Sequence, residues 1–239
     1  MTSQEHVVIV GGSSGIGLST ARLLLNQGYK LTIAGRNASR LVSACSTLKG
    51  DIHSFIMNAA EPSALPEQFA LLGSFSHLVL ALGSSRGAGP FASVPLNEVR
   101  AGFEEKVHAH FATAQAALPH LVRDGSLTFI SAVTAHAAMP GTAGIGAANA
   151  AVAALVPVLA AELQPLRVNA VAPGVTDTPW WNFLSEEDRE SVFADYASKT
   201  PIGRVGKPDD IAQAVAFLIA NTFISGQTVI CDGGLSLKG

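Results

Sequence analysis

The chain is short of charge, of cysteine and of any basic patch. Only 14% of its 239 residues are charged, against 48% hydrophobic, and the mean hydropathy is positive. So little charge at this length calls for a large buried fraction and an apolar surplus that ends in a subunit interface, so a homodimer or homotetramer is expected. Fifteen basic side chains against eighteen acidic ones leave a net charge of -3. That argues against nucleic acid or an anionic membrane as partner. The two cysteines, Cys45 and Cys231, are far apart and in no metal-like spacing. They fit a reducing compartment with neither a structural disulfide nor a metal site. The first residues lack the pattern of a secretory signal. The longest apolar stretch, Ala147 to Ala161, is interrupted by Asn149 and Pro157 and falls short of the roughly 20 residues a bilayer span needs. A cytoplasmic protein is expected.

What is present is alternation. Short apolar runs at Val7–Val10, Leu31–Ala34, Ser54–Met57, Leu78–Leu82, Leu127–Ile130, Arg167–Val171 and Thr228–Cys231 are separated by helical patterns. The runs are continuous rather than alternating, as in a parallel sheet covered on both faces. The expected fold is α/β: a single doubly wound Rossmann domain over 1–239, with a seven-stranded parallel sheet and helices on both faces. Residues 177–206 contain no strand-like run. They hold the pair Trp180-Trp181 and a charged helix near Ser185 to Ser198, and are expected to form a lid on the substrate side of the cleft. The alternative is a surface excursion packing its tryptophans on the body.

The first strand runs into Gly11-Gly12-Ser13-Ser14-Gly15-Ile16-Gly17, which opens an amphipathic helix. Glycines let a pyrophosphate approach the backbone, and the helix start offers free N–H groups and a favourable dipole. Gly11, Ser13, Ser14, Gly15, Ile16 and Gly17 are therefore candidate nucleotide ligands. An acid after the second strand would bind the ribose 2′-hydroxyl of NAD, but no Asp or Glu occurs between Gly11 and Gly50. Arg36 stands there instead, with Arg40 a turn later. A guanidinium suits a 2′-phosphate, so NADP(H) is expected over NAD(H). Asn58, after the third strand, is a candidate for the adenine amino group.

The glycine loop resembles that of the short-chain dehydrogenase/reductase family, with Val10 in place of its threonine. Arg167–Thr178, Arg204–Ala212 and Ser225–Gly234 are similar to further family segments. The resemblance covers the whole chain. It implies a nicotinamide-dependent oxidoreductase, with Pro173, Gly174 and Val175 lining the nicotinamide and Thr178 at its carboxamide. Asn-Asn-Ala-Gly after the fourth strand becomes Leu80-Ala81-Leu82-Gly83, of which Gly83 stays a cofactor candidate. In that family tyrosine donates the proton and lysine lowers its pKa and binds the ribose. Serine polarises the carbonyl, and asparagine completes the relay. The corresponding positions here are Ile145, Asn149, Ala132 and Lys106, so all four identities differ. Isoleucine has no proton to give and alanine no hydrogen bond, whereas Asn149 keeps the means to touch ribose hydroxyls.

Two replacements for the proton donor stand out. Val99, Phe103, Lys106 and His110 recur on one helical face. There Lys106 is either desolvated, which lowers an ammonium pKa, or snorkels to solvent. His136 falls in the loop that lines the substrate pocket in the resembled family, and imidazole titrates near neutrality. His110 reads as structural; Ser131 and Thr134 are available hydroxyls, with Ser131 turned away by strand alternation. The reading is an NADP(H)-dependent oxidoreductase acting on a small carbonyl or alcohol through an atypical acid–base group. The alternatives are a catalytically inactive NADP(H)-binding sensor or scaffold, and, less well supported, non-redox chemistry. Helix Ala147–Leu163 is apolar nearly all round and reads as buried between the sheet and a second subunit.

Overall fold

The computed structural model describes residues 4–238. Seven strands, β1 (His6–Val10), β2 (Lys30–Gly35), β3 (Ile52–Ile56), β4 (Phe75–Leu80), β5 (Leu121–Ile130), β6 (Arg167–Pro173) and β7 (Thr228–Cys231), make one sheet. Its order is β3-β2-β1-β4-β5-β6-β7, with every neighbouring pair parallel. The chain winds outward through β2 and β3, then crosses back to lay β4 on the other side of β1. The carboxyl ends of β1 and β4 thus flank the crevice where such sheets bind ligands.

Alternate residues of each strand feed opposite layers. Val8 and Val10 pack with Phe69, Phe129, Val152 and Val156. Val7 and Ile9 pack with Leu24, Leu41, Ile211 and Val215. The second layer is α1 (Gly15–Asn26), α2 (Ala38–Ser46) and α8 (Pro208–Ala220). Here the Ser19 hydroxyl of α1 donates to Asp209 of α8. The first layer holds α3 (Leu65–Leu72), α4 (Leu96–Phe103), α5 (Ala109–Ala117) and α6 (Ala143–Glu162). Between α4 and α5 the helix widens into a π-turn, Glu104–His108.

The strands follow the apolar runs, with three shifts, the first being β4, which starts three residues before the predicted Leu78 and ends two before Leu82. The predicted Ser54–Met57 lies two residues earlier, at Ile52–Ile56, and is the outer edge of the sheet, with His53, Ser54 and Ile56 exposed. It is therefore not covered on both faces. β5 begins six residues before the predicted Leu127, and its pairing with β4 shifts between Phe75 and His77. At that shift a Cβ on Gly125 would lie 2.0 Å from the Ser76 carbonyl oxygen and 3.0 Å from that of Val122. Both are backbone atoms and cannot rotate away. Gly125→Ala is expected to cost about 2–3 kcal/mol, read as a lower urea midpoint with the denaturant slope unchanged.

Helix α6 starts four residues before the predicted Ala147. It is long and apolar enough to cross a bilayer, yet Val152 and Val156 are fully buried against the sheet. Its outer side leaves Ala147, Ala150, Ala154 and Val158 exposed, the strip expected to meet a second subunit. Residues 177–206 leave the body as a 3-10 turn, Pro179–Trp181, followed by α7 (Glu186–Lys199). A bridge between Thr176 and Gly206 closes the base of this excursion. There the Asp177 N–H donates to the Gly206 carbonyl at 2.9 Å, and the Gly206 N–H to that of Val175 at 2.8 Å.

Candidate functional site

A cleft of about 660 Å³ opens at the carboxyl ends of the strands, within the usual range for small-molecule sites. Its outer end is the glycine loop. Gly11 has φ +88°, and a Cβ on Gly17 would lie 2.2 Å from the Gly11 carbonyl oxygen. The first turn of α1 therefore sits directly on the end of β1 only because both residues are glycine. Ser14, the N-cap, makes no side-chain bond to that turn, and no acid occupies it. The N–H groups of Gly15, Ile16 and Gly17 are left as a ready anion site on the cleft wall. Exposed Arg36 and Arg40 border the same end. Asn37 caps α2, accepting from the Arg40 N–H at 2.9 Å, which sets both arginines on the cleft side.

The inner wall is built by the ends of β4, β5 and β6. Gly83 follows β4, and Pro173, Gly174 and Val175 close β6, with Thr178 beyond. Ala132 and Ile145 also face the cleft, so two of the four altered positions present inert side chains there. The other two do not. Asn149, 3% exposed on α6, donates from Nδ2 to Thr134 Oγ1 at 3.1 Å and to the Ile145 carbonyl at 3.0 Å. Its Oδ1 is buried without a partner, an arrangement that costs free energy unless something binds there. Because Thr134 Oγ1 accepts from Asn149, its own proton is left free, on a residue that lines the cleft.

Lys106 occupies the π-turn and is 6% exposed. It does not snorkel. Its Nζ donates to the Leu82 carbonyl at 2.9 Å and the Ile130 carbonyl at 2.7 Å. The ammonium therefore ties the end of β4 to the end of β5 at the wall of the cleft. Burial lowers its pKa to about 7, the range useful for proton transfer. His110 lies one turn on, fully buried, with Nδ1 2.7 Å from the Lys106 carbonyl. Burial first, then the neighbouring Lys106 charge, lowers its pKa to about 3. It is a neutral structural histidine, as expected.

Three candidates stand apart. His136 is exposed on the turn after β5 and does not border the cleft, which removes it as a proton donor in this arrangement. Asn58 spends its side chain locally, donating to Glu61 Oε1 at 2.7 Å and accepting from the Ala60 N–H at 3.2 Å. It braces a turn rather than facing the cleft. Ser13 lies off the cleft wall, where a methyl added at Gly35 would meet its Oγ at 3.7 Å; that places it at the end of β2, beside Arg36. Ser131 donates to the Asn149 carbonyl at 2.9 Å and is thereby occupied.

The excursion supplies the roof. Trp180, Trp181, Phe183 and Tyr196 all line the cleft. Trp180 Nε1 donates to the Ser84 carbonyl at 3.1 Å, reaching from the excursion to the loop after β4. Trp181 Nε1 donates to the Thr176 carbonyl at 3.0 Å. The sequence signals for this roof are the lack of a strand-like run over 177–206, the Trp-Trp pair and the charged helix near Ser185 to Ser198. Phe183, Tyr196 and Arg86, which also line the cleft, carried none.

The geometry has counterparts. A family model described as enoyl-(acyl carrier protein) reductase matches residues 10–236. A 3-oxoacyl-[acyl-carrier-protein] reductase of Thermotoga maritima is 30% identical over 241 residues, covering 95% of this chain and 96% of that protein. A small-chain dehydrogenase solved in complex with NADPH superposes with a TM-score of 0.86 at 28% identity, covering 98% of this chain and all of its own. A short-chain oxidoreductase from Pseudomonas aeruginosa PAO1, described as containing an atypical catalytic centre, superposes with a TM-score of 0.87 at 27% identity over 97% of each chain.

Proposed function

Because the chain belongs to the short-chain dehydrogenase/reductase family and is a nicotinamide-dependent oxidoreductase by that kinship, we propose that it uses NADP(H) to interconvert a small carbonyl compound and its alcohol through an atypical acid–base group. The observation that carries this reading is the desolvated Lys106 ammonium on the wall of the same cleft that begins at the nucleotide loop. A buried ammonium is costly, and its place on the cleft wall favours a use in chemistry beside its tie between the two strand ends.

The residues fit the cofactor. The uncapped start of α1 would take the pyrophosphate, and the unpartnered Asn149 Oδ1 would accept from a hydroxyl of the nicotinamide ribose. Arg36 and Arg40, with no acid between Gly11 and Gly50, favour the 2′-phosphate of NADP(H). Bound there, the nicotinamide supplies or accepts the hydride. Asn149 orients Thr134, whose hydroxyl donates to the substrate oxygen and polarises the carbonyl, the task of the missing serine. Lys106, with two N–H groups on carbonyls, has a third to give, and it supplies the proton in reduction. Residues 177–206 act as a lid, excluding water over this pair. The exposed apolar strip of α6 supports a homodimer or homotetramer, and the free Cys45 and Cys231 fit a cytoplasmic location.

The loss of four catalytic identities favours a second reading, an inactive NADP(H) sensor or scaffold. One experiment separates the two. The purified protein is titrated with NADPH and NADH by nucleotide fluorescence, then mixed with a panel of aldehydes and ketones while absorbance at 340 nm is followed. Tight NADPH binding with turnover of any panel member supports the enzyme. Binding without turnover across the panel leaves the sensor, and failure to bind either nucleotide overturns both.

A further inference from the structure

Both tryptophans of the chain and one of its two tyrosines gather with Phe183 around one cavity, in a chain only 6% aromatic. The rings are ordered. Trp180 and Trp181 meet edge to face at 4.7 Å and 79°. Phe183 stands edge-on to Trp180 at 5.2 Å and 84°, and nearly parallel to Trp181 at 6.0 Å and 28°. Since both indole N–H groups are already spent on main-chain carbonyls, the two indoles and Phe183 have only carbon surface to offer a ligand. Phe183 borders the cleft yet is 59% exposed, so apolar ring surface is left uncovered at its mouth. Across the cleft stand Met139, Pro140 and Ile145, a second apolar wall.

Charge narrows the ligand further. Arg36, Arg40, Arg86 and Lys106 line the cleft, and among the described residues no carboxylate does. At the substrate end the cation left is Lys106, since Arg36 and Arg40 stand at the nucleotide end and Arg86 is paired with Glu98 at 3.2 Å, so a cationic ligand is disfavoured there and a neutral or anionic one is not. The polar groups on the cleft wall with a proton left to give include the Thr134 and Thr178 hydroxyls, the Tyr196 phenol and the remaining Lys106 N–H.

Resting on the oxidoreductase reading above, we propose that the substrate is a planar aromatic aldehyde or ketone, neutral or anionic. Its ring lies against the Trp180–Trp181–Phe183 cluster, and its carbonyl points inward to Thr134. In the reaction the carbonyl carbon gains a hydride from the reduced nicotinamide and the oxygen gains a proton. The C=O π bond is replaced by one C–H and one O–H bond, and the cofactor leaves oxidised. Aromatic pairs contribute roughly 0.5–1.5 kcal/mol each beyond the area they bury. Two such contacts predict a preference of about 10- to 100-fold over a saturated ring of the same size.

The test is calorimetric. NADP+ affinity is measured first; the NADP+-saturated protein is then titrated with benzaldehyde and, separately, with cyclohexanecarbaldehyde. The expected result is binding of benzaldehyde at least 10-fold tighter, with the gap closing in Phe183→Leu. That ring is mostly exposed, so its removal leaves the fold intact; Trp181→Leu serves as a second variant. Equal affinities for the two aldehydes, or a gap that persists in both variants, would overturn the substrate class while leaving the oxidoreductase reading in place. Failure to bind NADP+ would overturn the reading and the inference together.

Discussion

Lys106→Met is expected to lower the rate of carbonyl reduction roughly 10²- to 10⁴-fold, the usual worth of a positioned general acid, with NADPH affinity unchanged. The reason is geometric. Lys106 Nζ sits between two main-chain carbonyls at the junction of β4 and β5, away from the glycine loop and the arginines that hold the nucleotide. The pH profile identifies the role. With a pKa of about 7, the ammonium is present below that pH and the amine above it. Reduction by the wild type should therefore fall as pH rises through about 7, and alcohol oxidation should rise. Lys106→Arg keeps the charge and loses the titration, so its profile should be flat there. Equal rates for wild type and Lys106→Met would remove Lys106 from the mechanism.

Stability gives an independent readout of the same group. Its folded pKa is lowered from 10.5, so between about 7 and 10.5 the unfolded chain binds more protons than the folded one. Linkage then makes the native state more stable as pH rises through that window. Lys106→Met lacks that slope, although it orphans the two carbonyls. A lysine carrying its ordinary pKa would leave the two proteins with the same pH slope below pH 10.

The second large effect concerns cofactor choice. Replacing Arg36 and Arg40 together by alanine is expected to weaken NADPH binding by roughly 100- to 1,000-fold, since hydrogen bonds to charged groups contribute about 1.5–3 kcal/mol each and solvent at these exposed side chains keeps the pair near the low end. NADH, which lacks the 2′-phosphate, should bind the variant as it binds the wild type. The ratio of the two dissociation constants is the measurement, and it should show a marked dependence on salt, because both arginines are exposed. An unchanged ratio would place the specificity elsewhere.

Much of this was legible in the sequence for physical reasons, and the rest was hidden for physical reasons. Continuous apolar runs marked the buried strands because a sheet covered on both faces needs apolar residues at every position. The same rule failed at β3, an edge, and at the start of β5, where Arg123 and Asp124 are exposed. Burial of Lys106 was one of two readings its helical face allowed. The clamp on Leu82 and Ile130 was not readable, because it depends on a π-turn and on two strand ends distant in the chain. Asn58 shows the reverse case. Its signal for a turn, with Glu61 three residues on and Pro62 after it, was local and present, and a ligand role was inferred instead. The Asn149–Thr134 pair joins a helix to the turn after β5 and had no spacing to announce it.

The bridge between Thr176 and Gly206 has a bearing on how such a protein diversifies. Everything that roofs the cleft enters and leaves the body through one pair of residues hydrogen-bonded across the gap. The loop-closure cost of a longer or shorter segment changes only slowly with length, and no strand of the sheet lies inside it. Residues 177–206 thus behave as an exchangeable cassette. Sequence drift there is expected to change which compounds the cleft accepts while the Lys106 clamp and the sheet stay as they are. Grafting the corresponding segment of a relative between these two anchors is a direct route to altered selectivity.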